Sequence, residues 1–232
     1  MLSIIICVFN ESKTVVKIIE KVLTTKLPHN FKKEVIIVDN CSNDGTSQIL
    51  KQYVTHKEIT ILFQKENYGK GNSILEGIKL AKGEYIVFQD ADLEYDPKNY
   101  FELLNECIEN KIDAVFGSRY MLNTNDNIFL NKIGVIFFSK LINLLFSAKF
   151  TDTATNHKLV KTKVLKDMGL VSKNFDLDFE IAIKLAKYNY KYKEIPIRYY
   201  PRTSAEGKKV RIYDGFYCLI SILKFYLLLI FK

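Results

Sequence analysis

Apolar residues in the first half of the chain fall into short continuous runs, separated by stretches with a helical period. Ser3 to Val8 and Glu34 to Asp39 are nearly unbroken in Ile and Val, the pattern of strands buried on both faces. Between them a helix opens at Ser12, with Val15, Val16, Ile19, Val22 and Leu23 on one stripe. The pattern continues with a helix over Thr46 to Tyr53, a short strand over Thr60 to Gln64, a helix to about Lys82, and a fourth strand over Glu84 to Phe88. Such alternation predicts parallel strands with helices on both faces. Ligands in such sheets bind beyond the carboxyl ends of the strands, where the loops after Val8, Val38, Gln64 and Phe88 fall.

The second half predicts a helix over Pro97 to Glu109, a strand over Ala114 to Gly117, helices over Val164 to Leu170 and Asp178 to Tyr188, and a strand over Tyr192 to Tyr200. Two stretches are more apolar than a surface helix requires: Ile128 to Phe150, with Lys132, Lys140 and Lys149, and Gly215 to Phe231, interrupted by Lys224. The second is short for a bilayer span, and its lysine is costly at the bilayer centre. An interfacial helix fits it better, with a buried C-terminal helix as the alternative. We expect one domain over residues 1–212 and an apolar helix over 213–232.

Composition narrows this little. An apolar content of 48% suits one α/β domain. A net charge of +8 suits anionic partners without choosing among nucleic acid, phosphorylated substrates and membrane. No nucleic-acid-binding motif is present, and we exclude that class. Cys7, Cys41, Cys107 and Cys218 form no C-x-x-C pair, which argues against zinc or a redox motif and suits a reducing compartment. No basic leader precedes the first strand, and we expect no signal peptide.

The chemistry concentrates in the strand-end loops. Asp90 and Asp92 follow the fourth strand, and side-chain alternation would place both carboxylates on one side of its tip. Such a pair offers hard oxygen ligands to Mg²⁺ or Mn²⁺, which can then hold a diphosphate; otherwise it is a solvated acidic loop. Phe9, Asn10 and Glu11 follow strand one and suit contacts to a base. Asp39 ends strand two, where acidic residues accept from ribose hydroxyls. Ser42, Asp44 and Thr46 order the next turn and cap the helix. Gly69-Lys70-Gly71 opens a helix, with glycines that let backbone approach a phosphate and Lys70 supplying charge. His29 and His56 read as surface residues and His157 as structural.

Taken jointly, Val8-Phe9-Asn10-Glu11, Val38 to Thr46, Asn67 to Gly71 and Asp90-Ala91-Asp92-Leu93-Glu94 resemble the family-2 glycosyltransferases. The resemblance implies a GT-A fold: an α/β, Rossmann-like three-layer sandwich with a mostly parallel central sheet, here with a C-terminal membrane-associating helix. Gly117 to Tyr120, Thr151-Asp152, Thr155, Lys158, Glu194 to Ile197, Arg202 and Glu206 to Lys209 are similar to the dolichyl- or polyprenyl-phosphate hexose synthases. By that resemblance Glu11 and Asp39 bind the nucleoside, beside Phe9 and Asn10. Asp90 and Asp92 hold metal and diphosphate, and Arg119, Arg202, Lys208 and Lys209 contact phosphates, with Asp92, Arg119 and Arg202 catalytic; Ala91 and Lys70 complete the expected donor-binding set. Asn40 stands where many members carry a second Asp, Asp178-Phe179-Glu180 replaces a commoner Glu-Pro-Glu, and Asn156-His157 also departs from the family.

The implied reaction is inverting transfer of a hexose from a GDP- or UDP-sugar to a polyprenyl phosphate, by an enzyme peripherally bound at the cytoplasmic membrane face. A lipid phosphate needs no general base. A saccharide acceptor, the nearest alternative, would need one, from Asp152, Asp178 or Glu180. An inactive nucleotide-binding module at a membrane is the non-enzyme alternative.

Overall fold

Side chains along each strand alternate between two cores. Ile5, Ile36, Val38, Ile86 and Phe88 face one, and Ile4, Ile6, Val35, Ile37 and Val87 face the other. The computed structural model describes residues 1–121, 129–202 and 212–230. It shows a seven-stranded sheet between two helical layers. In chain order the elements are β1 (Leu2–Val8), α1 (Val15–Thr24), β2 (Lys33–Asp39), α2 (Thr46–Lys51), β3 (Ile59–Phe63), α3 (Lys70–Leu80), β4 (Tyr85–Asp90) and α4 (Asn99–Glu109), followed by β5 (Ala114–Ser118), α5 (Phe129–Phe146), β6 (Lys158–Lys161), α6 (Thr162–Asp167), α7 (Leu177–Lys187), β7 (Tyr192–Pro196) and α8 (Ile212–Ile230). The strand order is β3-β2-β1-β4-β6-β5-β7, and β6 alone among the strands pairs antiparallel. Helices α1 and α4 cover one face, and α3, α5, α6, α7 and α8 the other.

Register positions the functional edge. Val8 lies beside Asp39, and Cys7 beside Asp90, so β2, β1 and β4 release their loops at one level. Two expectations need correction here. Strand β4 runs through Gln89 to Asp90, instead of stopping at Phe88. Asp92 therefore lies beyond the strand, in a turn where Leu93 takes a left-handed φ of 68°, and this turn, not strand alternation, brings it back beside Asp90. The sequence also hid β6, whose four residues begin and end in lysine, a pattern too short to carry a period.

Helix α8 packs one side on the domain and leaves an apolar stripe exposed on the other. Cys218, Ile222 and Phe225 are buried against the domain, with Phe146 of α5 meeting Tyr226 edge-on. On the other side Phe216, Tyr217 and Ile220 are each 66% exposed, continued by Leu223, Leu227 and Leu228. Helix α5 repeats the pattern with Ile133, Phe137 and Leu144 outward. Lys140 and Lys224 are exposed within these stripes. No helix among the described residues is long and apolar enough to cross a membrane.

His157 locks β4 to β6. Its Nε2 lies 3.1 Å from Gln89 Oε1 and its Nδ1 3.3 Å from Asn99 Nδ2, a pairing that suits the neutral ring with hydrogen on Nε2. Tyr100 donates to the same Gln89 oxygen, and Tyr95 packs on the imidazole. Burial, only partly offset by Asp90 and Asp96, pulls the imidazole down to about 3.

Two outcomes follow. Helix α3 lies so close on β1 that a Cβ on Gly77 would sit 2.5 Å from Ile5 Cγ2. Gly77→Ala gains about 1 kcal/mol of helix propensity but overpacks a closed core at roughly 1–3 kcal/mol, so urea denaturation should show net destabilisation. For His157, the folded pKa lies below the unfolded one. The unfolded state thus binds more protons between about 6.5 and 3, and stability present above 6.5 is lost as pH falls through that window. Between pH 6 and 4 the unfolding free energy should fall by about 1.4 kcal/mol per pH unit more than that of His157→Gln, measured by urea titration.

Candidate functional site

The loops at the shared strand edge are braced against each other. Asn10, at a left-handed φ of 53°, donates its backbone N–H to Ser42 Oγ at 2.9 Å and accepts from Asn43 N–H at 2.9 Å. Glu11 N–H donates to Thr46 Oγ1 at 2.9 Å, and Ser12 N–H to Asp44 Oδ2 at 3.1 Å. Burial raises the Asp44 carboxyl, but the Thr46 and Ser12 donors outweigh it and hold it near 2. Ser42, Asp44 and Thr46 thus order the turn as expected, while the cap position of α2 is Gly45, which supplies no side-chain cap.

Asp39 ends β2 as expected, but it is almost fully buried. Its Oδ1 accepts from Ser42 and its Oδ2 from Ser47, so in this state it ties the loop together. Asn40 uses both halves of its amide: Nδ2 donates to Asn67 at 2.8 Å and Oδ1 accepts from Tyr68 N–H at 2.9 Å. An Asp could not supply that donor, which accounts for asparagine at this position. Phe9 is half-buried beside this network.

Gly69 and Gly71 have a structural reason besides the one expected. A Cβ at Gly69 would lie 2.3 Å from Asn174 Oδ1, and one at Gly71 2.6 Å from Asn174 O. The glycines admit the 173–174 backbone, to which Asn72 donates at 2.9 Å. Lys70 reaches Asp90 at 2.8 Å, over the Phe175 ring. Burial acts to lower its ammonium, but Asp90 and Asp178 prevail and raise it, so Lys70 stays charged.

Beyond β4 the acidic side chains converge. Arg202 Nη2 lies 3.0 Å from Asp92 Oδ2, and its two terminal nitrogens lie 3.2 Å from the Glu11 oxygens. Its backbone N–H donates to Glu94 Oε1 at 2.8 Å. Glu94 also accepts from the Tyr199 hydroxyl, and its carbonyl from Tyr200 N–H at 2.8 Å. Glu94 and Tyr199 are the residues to which sequence reasoning gave no role. The alternate spacing Asp90, Asp92, Glu94 was visible, but the strand-like clip from Tyr199 was not. Burial, then the charges of Asp90 and Glu94, push the Asp92 carboxyl up to about 7 against the pull of Arg202. Lys70 and Arg202 thus face four carboxylates, Glu11, Asp90, Asp92 and Glu94.

That surplus of negative charge suits a divalent cation. Among the described residues no group of three or more His, Cys, Asp and Glu forms a ready metal cage. Mg²⁺ or Mn²⁺ taken by one or two carboxylates plus substrate phosphates needs no such cage, and the oxygen-only donors at Asp90 and Asp92 fit it. Ala91 is buried between them.

Arg119 is engaged otherwise. Its Nε and Nη2 grip Asp152 at 2.7 and 2.8 Å, and its guanidinium stacks 5.3 Å from the Tyr199 ring. Lys158 is fully buried and pairs with Asp178, while fully buried Glu180 accepts from Val171 and Ser172 N–H and from Lys184. The segment expected to meet an acceptor is therefore largely interior. Lys208 and Lys209 lie outside the described residues.

Comparison with known proteins agrees with this geometry. The chain is 28% identical over 172 residues to the dodecaprenyl-phosphate galacturonate synthase of Rhizobium johnstonii, covering 73% of this chain and 50% of that protein. It is 29% identical over 202 residues to the poly-beta-1,6-N-acetyl-D-glucosamine synthase of Staphylococcus epidermidis, covering 84% and 48%. It therefore spans about half the length of these curated relatives. The glucosyl-3-phosphoglycerate synthase of Mycobacterium tuberculosis, solved with Mn²⁺, UDP and phosphoglyceric acid, superposes with a TM-score of 0.75 over 97% of this chain and 78% of that one, at 13% identity. The fold is GT-A. The sequence profile of Glycosyl transferase family 2 matches residues 3–169, which span β1 to α6 and every loop of the acidic edge except the one carrying Arg202, and the chain belongs to that family.

Proposed function

We propose that the protein transfers a hexose, with inversion, from a GDP- or UDP-sugar to a polyprenyl phosphate, dolichyl or undecaprenyl, at the cytoplasmic face of a membrane. The observation that carries the reading is the carboxylate surplus at the ends of β1 and β4, faced by Lys70 and Arg202. A Mg²⁺ or Mn²⁺ ion held by Asp90 and Asp92 would, when bound, offset charge on the departing diphosphate. Phe9, Asn10, Glu11 and Asp39 form the nucleoside end, where the braced loops fix backbone groups that can read a base edge. Lys70 and Arg202 orient donor phosphates, Lys208 and Lys209 add charge for phosphates of donor or acceptor, and Arg119 flanks the acceptor side through Tyr199.

A lipid phosphate is already anionic at neutral pH, so its oxygen attacks the anomeric carbon without a base. The buried state of Asp152 and Glu180 supports this acceptor, because neither has an open oxygen to take a proton. The saccharide acceptor keeps one candidate: Asp178, which retains some exposure beside Lys158. The relationship to a polysaccharide synthase favours keeping that second reading.

The outward stripes of α5 and α8 support attachment to lipid. Large apolar side chains there surround Lys140 and Lys224, which can extend to anionic headgroups while their stems stay with the apolar surface.

A matrix of sugar nucleotides against polyprenyl phosphate and simple saccharides, with Mg²⁺ or Mn²⁺ and scored by product mass, should give a glycosylated polyprenyl phosphate. Asp92→Asn should lower turnover by about a hundredfold or more. Product on saccharides only would replace the lipid acceptor, and no release of nucleoside diphosphate from any donor would reject the enzyme reading. In flotation with anionic liposomes at low salt the protein should rise with the lipid, and Phe216→Ser/Ile220→Ser should reduce the bound fraction. Complete retention in the soluble fraction would remove the membrane from the proposal.

A further inference from the structure

We propose that Arg202 is an internal counter-ion that competes with the divalent cation for the acidic cluster and so sets the cluster's metal affinity. This rests on reading Asp90 and Asp92 as the cation's ligands. It concerns what Arg202 does before any substrate arrives.

Two arginines in this protein hold carboxylates in different ways. Arg119 grips one partner, Asp152, with two short parallel bonds of 2.7 and 2.8 Å. That is the strong bidentate geometry. Arg202 also meets one carboxylate, Glu11, with two bonds, but these are longer at 3.2 Å, and its Nη2 is shared with Asp92 at 3.0 Å. Its buried Nε makes no hydrogen bond, lying 3.8 Å from Glu94 Oε1. A guanidinium so placed is held by the summed field of Glu11, Asp92 and Glu94 more than by matched hydrogen bonds. Such a field serves any cation, and a divalent ion brings twice the charge in a smaller volume.

The two cations exclude each other. Arg202 bonds directly to Asp92, and like charges within a few ångströms repel strongly in a partly buried site. Lys70 is committed to Asp90, so Asp92 is the carboxylate over which they compete. The guanidinium cannot simply drift off, because its backbone N–H is pinned to Glu94, with the Tyr199 hydroxyl on the same carboxylate. A cation arriving at Asp92 therefore turns the side chain while its anchor stays, which releases the three hydrogen bonds of its terminal nitrogens beside the site. By linkage, whatever draws the guanidinium away tightens the cation by the same factor.

The test is Mn²⁺ alone, titrated into wild type, Arg202→Gln and Arg202→Lys by calorimetry, with folding checked by urea denaturation. Arg202→Gln should bind Mn²⁺ about tenfold more tightly or better, within the usual range for coupled sites. Arg202→Lys, whose ammonium cannot span Glu11 and Asp92 together, should fall between. It decides the matter if the glutamine variant does not fold. Equal or weaker Mn²⁺ binding by the folded variants overturns this inference and leaves the ligand assignment standing. Absence of Mn²⁺ binding by every form, with or without UDP or GDP, overturns both.

Discussion

Strands β2, β1 and β4 end level, and that register concentrates negative charge in one place. With Val8 beside Asp39 and Cys7 beside Asp90, three loops must leave the sheet through one narrow edge, carrying Glu11, Asp39, Asp90, Asp92 and Glu94. Asp39 is satisfied locally by hydrogen bonds from serine hydroxyls. The rest draw a cation from far along the chain: Arg202 reaches Glu11 across 191 positions of sequence. The last third of the chain thus folds around a charge laid down by the first.

Burial separates two sorts of ion pair. Arg119 with Asp152, Lys158 with Asp178 and Lys184 with Glu180 are nearly closed to water. Loss of one partner from such a pair strands a charge at a cost of about 3–5 kcal/mol, so these pairs serve as scaffold. Lys70 with Asp90 and Arg202 with Asp92 keep more solvent contact on both partners. Water or an incoming ligand can replace either member there, so these pairs can open during a reaction. Thr155 and Lys158, which match the acceptor-side motif by resemblance, fall on the closed side of this distinction, both fully buried.

The parallel half of the sheet was legible because its strands are continuous Ile and Val runs with turn chemistry between them. The Asp90/Asp92 pair was legible by spacing, although for a mistaken geometric reason, since periodicity cannot show that β4 continues two residues further. Short or long-range features were hidden. Strand β6 has four residues. Glu94 acquires its place only when Tyr199 arrives, and the glycines around Lys70 are explained by a segment a hundred positions away. Local pattern reports what a segment can be. A side chain's partner in the folded state is a property of two segments.

Helix α8 is tied to this edge by more than proximity in sequence. Ser221 donates to Asp176 at 2.7 Å, at the start of α7, and the first turn of α7 carries Asp178, whose charge acts on Lys70. At its other end α8 begins ten positions after Arg202. Contact of this kind is not coupling, which requires an element with two arrangements that both sites bias. Arg202 is such an element if its guanidinium alternates between carboxylates and phosphate, because its backbone anchor at Glu94 stays fixed while its charge moves.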